Sequence, residues 1–124
     1  MVRLGLMACF LLILASCATK RSDKPKVLVF SKTAGFHHES ITDGIAAIQK
    51  LGSENGFDVD TTTNSELFTE ENIKQYAAVI WLGTTGDVLN QYQEADFERY
   101  IQSGGGYVGV HAAADTEYEW GWYN

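Results

Sequence analysis

Cysteine is almost missing from this chain: of 124 residues only Cys9 and Cys17 carry a thiol. From Val27 onward there is none, which excludes both a disulfide and a thiolate nucleophile from the folded part. Proline occurs once, at Pro25. Basic residues are scarce too. Beyond position 26 only Lys32, Lys50, Lys74 and Arg99 stand against fifteen carboxylates, a formal charge of −11. Such a domain repels phosphate backbones, so no nucleic-acid partner is expected; most of the carboxylates read as a solvated surface. No repeat, low-complexity tract, Walker loop or GxGxxG between strand and helix occurs. Histidine is limited to His37, His38 and His111.

The start of the chain has a separate logic. Arg3 precedes an apolar stretch over positions 4–14, too short to span a bilayer but of signal-peptide length. Leu14-Ala15-Ser16-Cys17 then resembles a bacterial lipoprotein box. The expectation is a signal over 1–17, lipidation at Cys17 with loss of Cys9, and a polar, basic tether over 18–26. Membrane attachment through this lipid places the protein in the bacterial cell envelope, and Ala18 after the cysteine favours the outer membrane. The alternatives are a plain secretory signal or an apolar start with no targeting role.

The remaining chain, 27–124, has the length and residue mix of one globular domain. Lys26-Val27-Leu28-Val29-Phe30 is a non-alternating apolar run, as in a strand buried on both faces. Ser40 offers an N-cap to a helix with Ile41, Ile45, Ile48 and Leu51 on its apolar face, stopped by Asn55-Gly56. Phe57 to Thr61 alternates like an edge strand. A short helix capped by Thr69 over 70–75 and a third strand over 77–82 follow. Asn90 and Gln93 have capping-box spacing. Their helix directs Leu89, Tyr92, Phe97, Tyr100 and Ile101 inward and stops at Gly104. A fourth strand covers 107–110. This β-α-β-α-β-α-β order predicts a three-layer α/β fold with a doubly wound parallel sheet, flavodoxin-like or class I glutamine amidotransferase-like.

In such sheets ligands lie beyond the carboxyl ends of the strands, where loops 32–38, 83–87 and 111–116 converge. Gly109-Val110-His111-Ala112-Ala113 resembles a nucleophile elbow, small residues allowing a sharp strand-to-helix turn. Its apex, His111, suits acid/base or metal chemistry, or simply a hydrogen bond at a strand end. Of His37 and His38, adjacent side chains that diverge, one is expected to face the cleft. Asp115, four residues after His111, orients the imidazole if a helix starts at the elbow, or else caps the next element. The candidate catalytic set is therefore His111, His37, His38 and Asp115. Thr33, Gly35, Phe36, Thr84 and Trp120 are candidate ligand contacts. Gly35, with Gly83 and Gly86, also reads as a turn residue. No cofactor is required by the sequence; a divalent metal on His37, His38 and His111 is a variant, with zinc favoured by ligand type. The tail Tyr118-Glu119-Trp120-Gly121-Trp122-Tyr123 offers aromatic faces for a sugar or for packing.

Three blocks carry a resemblance: Lys32-Thr33-Ala34-Gly35-Phe36-His37-His38-Glu39-Ser40, then Gly104-Gly105-Gly106-Tyr107-Val108-Gly109-Val110-His111-Ala112-Ala113-Ala114-Asp115-Thr116, and Trp120-Gly121-Trp122-Tyr123. In this order they resemble the trehalose-utilisation (ThuA-like) family. The resemblance implies a class I glutamine amidotransferase-like fold, a small-molecule saccharide as partner, and a domain that continues past Asn124, so that the sheet is incomplete at the C-terminus. The amidotransferases place cysteine where this chain has His111, which argues against glutamine hydrolysis. Two functions remain open: a sugar-processing enzyme acting on trehalose or a related disaccharide or keto-sugar, and a noncatalytic sugar-binding module of a surface lipoprotein.

Overall fold

The computed structural model describes residues 24–124; the expected signal over 1–17, with Cys9 and Cys17, and most of the expected tether lie outside the described residues. Four five-residue strands, β1 (Lys26–Phe30), β2 (Asp58–Thr62), β3 (Ala78–Leu82) and β4 (Gly106–Val110), form one sheet. Three helices connect them: α1 (Ser40–Asn55), α2 (Glu70–Ile73) and α3 (Gln91–Gln102). All pairings are parallel and the spatial order is β2-β1-β3-β4. The direction of winding reverses between β1 and β3, which makes the sheet doubly wound.

Alternation along each strand assigns the two faces. Val29, Ile80, Leu82 and Val110 meet Ile41, Ile45 and Ile48 of α1. Leu28, Phe30, Val79 and Trp81 meet Phe68, Ile73, Phe97 and Tyr100 on the opposite face. The result is three layers, helix on sheet on helix. The second face is the larger core, with Phe30, Phe68, Phe97 and Trp81 in mutual ring contact. Each such aromatic, fully buried, contributes about 1.5–3 kcal/mol.

Several boundaries follow the sequence signals closely. Gly56 ends α1 at φ 77°, a left-handed conformation that glycine adopts without strain. Thr69 accepts from the Asn72 N–H, and the Asn90–Gln93 capping box forms in both directions. Three expectations need correction. The N-cap of α1 is Glu39, already helical at φ −60°, because the chain begins to turn at His38, whose carbonyl accepts from the Ile41 N–H at 3.2 Å; no side chain caps this end. Leu51 is exposed, beyond the area of α1 that the sheet covers, and Tyr92 is exposed on the first turn of α3. Strands β2, β3 and β4 are displaced by one residue from their expected starts.

Candidate functional site at the strand ends

Beyond the carboxyl ends of β1 and β3 lies the switch point of the sheet, the usual ligand crevice. Here the two loops are joined by main chain. Thr33 and Thr85 form an isolated parallel bridge, and the Ala34 and Gly35 N–H groups donate to the Thr85 carbonyl at 2.8 and 3.2 Å. The Thr85 hydroxyl donates to the Phe36 carbonyl at 2.8 Å. The β3 loop is tied in turn to the segment after β4, where Gly86 donates to Asp115 and accepts from Glu117. Three loops thus form one hydrogen-bonded surface.

His111 stands immediately after β4. Its φ of 59° lies in the left-handed region, which costs a side-chain-bearing residue about 1–2 kcal/mol. This is the backbone signature of an elbow, with a histidine at its apex. The following turn, His111–Ala114, is a 3-10 turn and not an α-helix. With three residues per turn, a residue four positions on does not share a face. Asp115 is exposed, and its side chain makes no hydrogen bond to His111 among the described contacts; its main chain joins Ala112 and Gly86 instead. The orienting role expected of Asp115 is therefore not met by this geometry.

The imidazole of His111 meets His38 edge to face, ring centroids 4.4 Å apart, and Phe36 packs on the far partner at 4.8 Å from His38. His37 points elsewhere: its Nδ1 lies 3.4 Å from the Thr33 hydroxyl. Of the adjacent pair, His38 is the one at the elbow. Among the described residues no group of three His, Cys, Asp or Glu side chains is placed to hold a metal ion. His38 and His111 alone amount to half of the four ligands zinc usually takes.

The remaining candidates separate by exposure. Thr33, Gly35 and Phe36 are accessible, but Thr84 is fully buried and its hydroxyl accepts from Thr116 at 3.0 Å. Thr84 therefore holds the β3 loop and faces no ligand. Trp120 is 7% exposed, donates through Nε1 to Glu98 at 2.9 Å, and belongs to the core. Its neighbour Trp122, stacked on it at 5.3 Å, is 42% exposed and is the indole that reaches solvent.

Four further residues, none of them among the sequence candidates, organise the site. Glu117, 2% exposed and left-handed at φ 58°, accepts from the Val88 and Leu89 N–H groups at 2.8 and 2.7 Å. Burial pushes its carboxyl above the ordinary range, while those two donors pull the other way. Lys32 donates to the Val88 carbonyl at 2.9 Å, so Lys32 and Glu117 grip the 88–89 peptide from its two ends. Tyr107 touches the Tyr123 hydroxyl at 2.5 Å, and Tyr123 donates to the Ala113 carbonyl at 2.7 Å. Beside them an open cavity of about 520 Å³ is lined by Tyr107, Gly109, His111, Ala113, Trp122 and Tyr123 among others.

The parallel sheet, its flanking helices and the sharp turn at His111 together define a three-layer, doubly wound α/β protein. Comparison with known proteins agrees. The family model for ThuA, trehalose utilisation, matches residues 26–124, and the chain belongs to that family. The fold is similar to the crystal structure of a ThuA-like protein from Bacteroides uniformis, with a TM-score of 0.65 and 25% sequence identity. That match covers 86% of this chain and 45% of the other, so the chain spans less than half of that protein's length. No protein of curated function matches it.

Proposed function

We propose that this ThuA domain acts on a carbohydrate, trehalose or a related disaccharide or keto-sugar, with His111 as general acid/base and His38 beside it. The observation that carries the reading is the left-handed backbone of His111 at the end of β4. Strain of this kind persists where the surrounding structure over-determines it, and it clusters at functional sites. A general acid/base must reach its proton within hydrogen-bond distance, and an exposed imidazole at a strand end meets that need. The family description supports the substrate class. Lipidation at Cys17 and an outer-membrane location belong to the same reading and rest on the N-terminal sequence. A divalent ion held by the imidazoles remains a variant of it.

A binding-only module is the second reading, favoured by the exposed Trp122 beside the cavity. Turnover of trehalose and of its keto derivative, measured for the parent and for His111→Ala, separates the two. The enzyme reading expects His111→Ala to lose turnover while sugar affinity changes little. Binding by both proteins with no turnover by the parent overturns it in favour of the module.

A further inference from the structure

We propose that the cavity beside β4 binds an uncharged, unphosphorylated sugar ring, with Tyr107 as the hydroxyl that grips it and Trp122 as the face on which it stacks. The proposal rests on the carbohydrate reading above and specifies where, and in what chemical form, the sugar is held. Strand alternation puts Tyr107 and Gly109 on one face of β4, and His111 follows at the end of that strand. Gly109 is what opens the space between them. A Cβ at this position would lie 2.7 Å from the Tyr107 hydroxyl and 3.3 Å from the Ala113 Cβ.

The polarity of the hydroxyl pair is set by its neighbours. Tyr123 spends its proton on the Ala113 carbonyl, so Tyr107 donates to Tyr123 and keeps its own lone pairs free to accept. Both phenols are neutral at pH 7 as any tyrosine is, and burial raises them further above their ordinary values. A ligand at this point must therefore bring a donor, as a sugar hydroxyl does. The apolar faces of a sugar ring suit Trp122, Phe97 and Ile101, which line the same space. The volume of about 520 Å³ falls within the range of about 300–1,000 Å³ typical of small-molecule sites.

Charge decides the chemical form. Among the described residues no lysine, arginine or carboxylate lines the cavity, and His111 is the one basic side chain in its wall. The chain beyond position 26 carries a formal −11. A phosphorylated sugar would enter against that field with only the His111 imidazole to face it, whereas a neutral one loses nothing. The switch-point crevice between β1 and β3, the other natural place for a ligand, is taken up by the Thr33–Thr85 bridge and its neighbours.

The test is an amide and side-chain NMR titration of the chain with trehalose, glucose and glucose 6-phosphate. Trehalose or glucose is expected to shift Tyr107, Gly109, Ala113 and the Trp122 indole, with the phosphate ester binding at least tenfold more weakly. Tyr107→Phe should weaken the neutral sugar about three- to tenfold, and Gly109→Val, which fills the space, should abolish binding while circular dichroism confirms the fold. Should Gly109→Val unfold, Trp122→Ala, an exposed position, gives the same reading. Equal affinity for glucose and its phosphate overturns the proposal. So do shifts confined to Thr33, Phe36 and His38, which would leave the carbohydrate reading standing with its site elsewhere. Absence of binding by any of the three sugars overturns both.

Discussion

His38 and His111, delivered by the loops after β1 and β4, meet edge to face with ring centroids 4.4 Å apart. Two strands separated by β3 in the sheet therefore contribute to one imidazole pair. The contact exists because the elbow turns His111 through a left-handed backbone while His38 already begins the turn into α1.

The strain at the elbow is measurable. A glycine at position 111 adopts φ 59° freely, whereas alanine keeps the steric conflict of any L-residue. His111→Gly should be more stable than His111→Ala by about 1 kcal/mol in urea denaturation. Equal midpoints would mean that the turn is not strained, and the argument from strain to function would be lost.

Glu117 should make stability depend on pH. Burial raises its folded pKa above the ordinary value of a glutamate, so the folded state holds its proton more tightly than the unfolded one. Stability is then highest below about pH 4.5 as far as this group is concerned, and it declines as pH rises through the folded value. Glu117→Gln keeps an oxygen for the Val88 and Leu89 N–H groups and removes the titration. Its thermal midpoint should fall less between pH 4.5 and 8 than the parent's, and a parallel decline in both proteins refutes the assignment. Glu117→Ala leaves two buried donors without a partner and should cost about 2 kcal/mol or more.

Lys32 and Glu117 are coupled through the 88–89 peptide without touching each other. In a double-mutant cycle of Lys32→Met and Glu117→Gln, the two changes should be non-additive by at least about 0.5 kcal/mol. Additive effects would show that the shared peptide transmits nothing.

The capping box of α3 supports the wall of the cavity formed by Phe97 and Ile101. Asn90→Ala removes the acceptor for the Tyr92 and Gln93 N–H groups and should lower stability by about 1 kcal/mol in the same denaturation assay. A change near zero would mean that water replaces the cap at no cost.

The sheet was readable because its signals are local. Apolar runs mark β1 and β3, Asn90 and Gln93 mark the start of α3, and Asn55-Gly56 marks the end of α1. Periodicity names a helix face but not how far its neighbour extends, so Leu51 and Tyr92 fit the helical pattern yet lie outside the core. At the site, small residues around His111 announce a sharp turn, and because adjacent side chains diverge only His38 of the pair meets His111. Which threonine hydroxyl is free, and which tryptophan is buried, depends on contacts between distant segments: Thr84 with Thr116, and Trp120 with Glu98. Glu117 sits among other carboxylates in the sequence, and only the fold reveals it as the one clamped beneath the β3 loop. The spacing Tyr107, Gly109, His111 was a usable signal, since every second residue of a strand shares a face.

The central claim, that a carbohydrate works at the His111 elbow, is tested most directly by following the three imidazole side chains by NMR as trehalose is added to the chain. The account predicts that the His111 ring signals move saturably, that those of His38 follow through their contact, and that His37, turned toward Thr33, stays nearly still. Saturable binding that leaves His111 unmoved, or no imidazole response at sugar concentrations of tens of millimolar, about the range of weak small-molecule affinity, would contradict it.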